Sequence, residues 1–267
     1  MENGPAERVD SCEFAPVPLR HRTHLECQMK SQTPLNTQPG TIEDLIKQEI
    51  IFGRMRPRER LVEDELCERF DASRHQVRAA FGVLENMGLV TRRANKGVIV
   101  RDFSVKEVDQ YYEMRALLQS EAAKRIPLPL AESAMSELED LHVQYCEAVD
   151  RHDLKTVCTI NSLFHKALFA TCNNQCLADM IQQLATETLG IRCYAIGDPV
   201  LLKRSQAEHF EMLNALRTGN RKELARLCVD HIWPAFEAYK RAHGGWSQKP
   251  AKVYELPTSI SKKRNVA

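Results

Sequence analysis

Residues 71–84 read DASRHQVRAAFGVL, and their two-sidedness decides the fold of the N-terminal third of the chain. Asp71-Ala72 forms a turn and Ser73 is a natural N-cap, since its hydroxyl can accept from the free N–H groups of a first helical turn. From there Val77, Ala80, Phe81 and Leu84 recur at helical spacing as a buried stripe. The helix runs to about Met87 and Gly88 ends it. Its other face carries Arg74 and Arg78 four residues apart, with His75 and Gln76 beside them. An exposed face of this kind is commonly just solvated. Arginines at the start of a helix also suit base reading in a DNA major groove, because a guanidinium donates two parallel hydrogen bonds to guanine O6 and N7. Gln76 suits adenine or a phosphate.

The flanking stretches favour DNA reading. TIEDLIKQEIIFG starts at a Thr41 cap, repeats Ile42, Leu45, Ile46 and Ile50, and stops at Gly53. RLVEDELCERF predicts a second short helix carrying Leu61, Leu66 and Phe70. After the third helix, LVTRRANKGVIVRDF reads as two short strands around an Asn95-Lys96-Gly97 turn. Three helices followed by a hairpin is the order of a winged helix-turn-helix, here spanning 39–102. Arg92, Arg93 and Lys96 on the wing would straddle the neighbouring phosphates, adding salt-sensitive affinity with little sequence choice.

Residues 103–243 have a different grammar, helix after helix. The first begins at Ser104, with Glu107 three residues on as a capping box. Six quoted runs follow from it: SVKEVDQYYEMRALLQSEAAKRI, ESAMSELEDLHVQYCEAVDRHD, LKTVCTINSLFHKALFATC, QCLADMIQQLATETLGIRCYAI, PVLLKRSQAEHFEMLNALRTG and NRKELARLCVDHIWPAFEAYKRAH. The expectation is a mainly α protein whose C-terminal part is an antiparallel bundle of six or seven helices. The ends, 1–38 and 244–267, are polar and aperiodic and read as tails.

Composition agrees and excludes little else. The chain has 267 residues, 43% hydrophobic and 27% charged, with a formal net charge of +1, so any DNA-binding patch must arise locally. No run of about 18 apolar residues predicts a membrane span, and there is no signal-peptide core. Nine cysteines without paired spacing point to reduced thiols in the cytoplasm.

Asn161 and His165 lie four apart on one helix, and His209 and His231 belong to later ones. Imidazoles from different helices can hold a divalent transition metal inside a bundle. Scattered histidines are also ordinary hydrogen-bonded residues, and spacing alone does not choose. Arg192 interrupts an apolar stretch and is a candidate to face a pocket, with Tyr111, Tyr112 and Tyr194 as candidate lining.

The run from IKQEIIFGRMRPRERLVEDELCERF to RRANKGVIV resembles the DNA-binding domain of the GntR family of bacterial transcription regulators over some fifty-five residues. The resemblance implies DNA contacts by Ser73, Arg74, His75 and Arg78 and by the wing around Lys96 and Gly97. Three positions depart from the family pattern. Arg58 stands where a Gly follows Pro57, Asp64 where some relatives carry a DNA-contacting arginine, and His75-Gln76 where Thr-Pro is common. The second part, through NSLFHKALFATCNN and AEHFEMLNALRTGNRKELARLCVDH, resembles the FCD ligand-binding domain of the FadR subfamily. That implies a metal on the residues matching Asn161, His165, His209 and His231, zinc first and nickel or manganese behind it. Asn161 replaces the family's Asp and offers a neutral oxygen. It also implies that Arg115 pairs with an effector carboxylate. The expected protein is a homodimeric, ligand-responsive repressor on a palindromic DNA operator, released by a small organic acid. A direct metal sensor and a metal-dependent hydrolase are the alternatives. The hydrolase lacks a general base, since Glu208 and Glu211 beside His209 tend to point away from it.

Overall fold

The computed structural model describes residues 40–94 and 96–243; both expected tails, and Asn95 of the expected turn, lie outside them. Helix α1 (Ile42–Ile51) starts where the Thr41 hydroxyl accepts from Asp44 N at 3.4 Å. Strand β1 (Arg60–Leu61) follows, then α2 (Glu63–Phe70) and α3 (Arg74–Asn86). Ser73 and Gln76 form a full capping box at the head of α3, and Gly88, at φ +70°, lets the chain turn away from its end.

Strands β2 (Val90–Arg93) and β3 (Gly97–Val100) make the expected hairpin, paired antiparallel with Arg92 opposite Val98. Gly97 at φ +72° sits at the turn. The sheet has a third member. Arg60 and Leu61, expected as the start of the second helix, pair with Ile99 and Val98, giving the order β1-β3-β2. Leu61 still enters the core, with Ile46, Ile50, Leu66, Val77, Phe81, Leu84 and Val100. Tertiary pairing has overridden a helical period there.

Arg58 occupies the left-handed region at φ +69°, which explains the glycine of the family pattern. A non-glycine residue there costs about 1–2 kcal/mol. Arg58 N donates to Val100 O at 3.0 Å, and its Nε donates to Asp102 Oδ2 at 2.5 Å.

The second part has eight helices among the described residues, more than the six or seven expected. They are α4 (Val105–Arg125), α5 (Glu132–Asp150), α6 (Leu154–Ala170), α7 (Gln175–Glu187), α8 (Leu189–Ile196), α9 (Pro199–Arg217), α10 (Arg221–Asp230) and α11 (Trp233–Ala242). Two quoted runs each divide in two. At Thr188 the hydroxyl donates back to Leu184 O at 2.7 Å and the chain re-starts as α8. At His231-Ile232 the cause is Pro234, which has no N–H to continue α10. Ser104 and Glu107 cap α4 reciprocally, as expected. The main core joins Ala122, Ile126, Leu138, Phe164, Leu168, Met212, Leu216 and Leu224 from five of these helices and leaves a cavity beside it. No described helix is long and apolar enough to cross a membrane.

Candidate functional site

The outer face of α3 is exposed from Ser73 to Gln76 and again at Arg78. Arg78 Nε donates to Glu63 Oε2 at 2.8 Å, and Arg74 Nη2 lies 2.9 Å from Asp64 Oδ1. Both acids belong to the first turn of α2, so α2 steadies the arginines that α3 presents. The Asp64 departure thus puts a carboxylate on Arg74. Gln76 also caps α3: its Oε1 accepts from Ser73 N at 2.9 Å and from Ser73 Oγ at 2.8 Å. The capping box uses Oε1 and leaves the Nε2 donor of the amide outside it. His75 is exposed.

On the wing, Arg92 is tied to the end of α3 by Glu85, its Nε donating to Oε2 at 2.9 Å. Arg93 and Lys96 are exposed, with no carboxylate within 4 Å among the described residues.

In the helical part the three histidines converge. One ring nitrogen from each of His165 on α6, His209 on α9 and His231 at the end of α10 fall within 4.8 Å of one another. Nε2 of His165 and Nε2 of His209 are 3.3 Å apart. His209 is fully buried, stacked on Phe164 at 4.3 Å and against Tyr145 at 4.8 Å between ring centres. Burial first, then the neighbouring His231, holds both His165 and His209 well below the ordinary histidine range, so both are neutral and offer lone pairs.

Within this donor set the His165–His209 pair has the spacing a divalent ion would need, while the three nitrogens together span up to 4.8 Å. Two nitrogens bound to a tetrahedral zinc at about 2.0–2.1 Å stand roughly 3.3–3.4 Å apart. Asn161, buried one turn before His165, lines the same cavity with its neutral amide. Only His231 has the carboxylate partner that usually orients a ligating imidazole. Its Nδ1 lies 2.7 Å from Glu208 Oε2, while Nδ1 of His165 and of His209 are buried without a partner.

Among the described contacts Glu208 makes none with His209, as expected, yet it reaches the cluster through His231. It lines the cavity, and its other oxygen accepts from Arg204 Nε at 2.6 Å. Burial pushes its carboxyl up, but the bonds to His231 and Arg204 outweigh this and leave it below its usual value. The signal lay in Arg204, four residues earlier on the same helix face.

Arg115, 7% exposed, lies under the same cavity. Nη1 donates to Thr188 Oγ1 at 3.1 Å, and the guanidinium lies 4.9 Å from the ring centre of Tyr112. Its Nε has no acceptor, and no carboxylate of the described residues lies within ion-pair distance. Burial lowers its proton affinity, though from so high a starting point that it stays a cation. Arg192 lines the cavity too, with Nη1 donating to Ser162 Oγ at 3.4 Å. Tyr112 is buried in the lining. Tyr111 instead bonds Glu187 at 2.8 Å and Tyr194 packs on Tyr239, both outside the cavity's lining. The cavity measures about 220 Å³.

A helix-turn-helix head that presents arginines on α3 and a cavity-bearing helical domain on one chain define a class, the one-component DNA-binding regulators. Residues 39–100 match the bacterial regulatory proteins of the gntR family, and residues 110–233 match the FCD domain. The chain belongs to the GntR family of transcription regulators and carries an FCD domain. The family is one of DNA-binding regulators, not enzymes. Similar proteins include the HTH-type transcriptional repressor RspR of Escherichia coli K12, 26% identical over 221 residues that cover 81% of this chain and 94% of that protein. A GntR regulator from Rhodococcus sp. RHA1 has a similar fold, with TM-score 0.61, 22% identity, and coverage of 77% of this chain and 97% of that one. So does Escherichia coli McbR, with TM-score 0.59, 19% identity, and coverage of 76% and 96%.

Proposed function

We propose that this protein is a ligand-responsive repressor in the cytoplasm. Two copies would bind a palindromic operator, and a small carboxylate in the FCD cavity would release them. The observation that carries the reading is Arg115, a buried guanidinium held by neutral hydroxyls, with no acid partner among the described residues, lining the cavity. A cation so placed calls for an anion that the protein does not itself supply.

A divalent ion, zinc first, would be held by His165, His209 and His231 with Asn161 as a neutral fourth donor. It would supply Lewis acidity that braces a ligand oxygen. Glu208 would fix the tautomer of His231, and Arg115 and Arg192 would orient the acid. On DNA, Arg74 and Arg78 would face base edges with Ser73 and His75 beside them, while Arg93, Lys96 and the Gly97 turn follow the phosphates. Recognition helices of a dimer would lie about one turn, ~34 Å, apart. To switch occupancy the acid must favour one dimer arrangement by about 1–3 kcal/mol.

The test is gel retardation of the promoter fragment beside the protein's own gene. Retardation that an organic acid reverses supports the reading; no retardation by purified dimer sinks it. A second reading, a direct metal sensor, is favoured by one observation: a neutral Asn161 and two imidazoles without outer partners make a weak, exchangeable site. In that case operator affinity follows free zinc or nickel and ignores organic acids.

A further inference from the structure

We infer that the cavity is built for a ligand with two anionic groups at its two ends, a short dicarboxylate. This rests on the effector reading above and narrows it. Two guanidinium groups reach the cavity from different walls, Arg115 from α4 and Arg192 from α8. Each is tied to protein by a neutral hydroxyl, Thr188 for one and Ser162 for the other. Neither has a carboxylate within ion-pair distance among the described residues. Glu208, the acid inside the cavity, is already committed to His231 and Arg204. Lys166 and Asp179 also line it, but both are exposed and sit at its rim. The interior therefore holds two positive charges that nothing in the lining balances, leaving the histidines out of the count.

A monoacid neutralises one guanidinium and leaves the other facing it unpaired. Two separated anions satisfy both. The two guanidinium groups come from different helices and are held by different hydroxyls, so each offers its own anion site. Val157, Ile181, Leu189 and Ile232 supply apolar wall for the methylenes between the charged ends. The cavity, at about 220 Å³, is smaller than the roughly 300–1,000 Å³ typical of drug-sized ligands.

The experiment is calorimetric titration of the full-length protein with succinate, glutarate, butyrate and inorganic phosphate. The expected result is at least one dicarboxylate binding about tenfold or more tighter than butyrate, with phosphate weaker than either dicarboxylate. Arg192→Gln, at a half-buried position, should weaken the dicarboxylate more than butyrate and bring their ratio close to one. Arg115→Gln should weaken all the acids. Butyrate as tight as the dicarboxylates in the unaltered protein, phosphate tightest of all, or an unchanged ratio in Arg192→Gln each overturns the inference while the effector reading stands. If no carboxylate binds and none releases DNA, the effector reading fails and takes this inference with it.

Discussion

Glu208 on α9 and His231 at the end of α10 meet at 2.7 Å, Oε2 to Nδ1, at the wall of the cavity where three imidazoles converge. With Nδ1 donating to the carboxylate, the lone pair of His231 is left on Nε2. Arg204 holds the other oxygen of Glu208 and keeps the carboxylate in place. Removing its charge but not its shape should loosen any ion at the histidines. Glu208→Gln is expected to lower zinc affinity by about 10–100-fold, read by competition with a chromophoric chelator. Equal affinities would show that His231 needs no such partner.

Asn161 gives the opposite prediction. It lines the cavity one turn from His165 and contributes a dipole where a carboxylate would contribute a charge. Asn161→Asp is nearly isosteric and should raise zinc affinity on the order of tenfold or more, since attraction to a divalent cation is strong where water is excluded. The same chelator competition reads it. A fall in affinity would mean that position 161 does not face the ion.

How much of this was legible before the structure differs from element to element. Helix α3 was legible because its signals are local: a Ser73 cap, a stripe of Val77, Phe81 and Leu84, and a glycine stop. Strand β1 was not, since two residues carry no period of their own and Arg60 and Leu61 become strand only by pairing with Ile99 and Val98. At Thr188 the structure divides a run whose helical period the sequence carries straight through. Pro234 did signal the break before α11 and was overlooked within a long helical run. At the cavity, spacing put Asn161 and His165 on one face, but meeting His209 and His231 is a tertiary event that only the family resemblance anticipated. Glu208 diverges from His209, its neighbour on α9, as adjacent helical residues do, and that spacing says nothing of what a second helix brings to it. A neighbouring helix can still meet both, and here His231 does.

Acid sensitivity follows from the buried rings. His165 and His209 are held well below the ordinary value, by burial first and then by His231. In the unfolded chain each titrates near 6.5. Below that pH the unfolded state takes up protons that the folded state refuses, so stability present above about pH 6.5 is lost as pH falls towards the folded values. The slope is at most about 1.4 kcal/mol per pH unit for each ring. Urea unfolding of metal-stripped protein at pH 7.5 and 5.5 should show the lower midpoint at 5.5. His165→Gln with His209→Leu should flatten the difference, and an equally steep loss in that variant would place its source elsewhere.

The two arginines of α3 should behave differently on DNA, because their acids grip them differently. Glu63 takes Nε of Arg78, which leaves the Nη1–Nη2 end open for two parallel bonds to a guanine. Asp64 takes Nη2 of Arg74, one of the nitrogens a base contact would use, so that pair must open before Arg74 reads anything. Arg78→Ala is expected to cost about 1–3 kcal/mol on the operator and to relax choice at one base pair. Glu63→Gln should reduce the ratio of specific to non-specific binding by freeing the reader it steadies. Asp64→Asn should do the reverse of a loss. It removes a negative charge facing the phosphates and an exposed pair worth at most about 1 kcal/mol, so affinity rises for operator and random duplex alike. Fluorescence anisotropy on both duplexes across a salt series separates these outcomes. A fall in operator affinity with Asp64→Asn would show that Asp64, like Glu63, holds its arginine in the reading position.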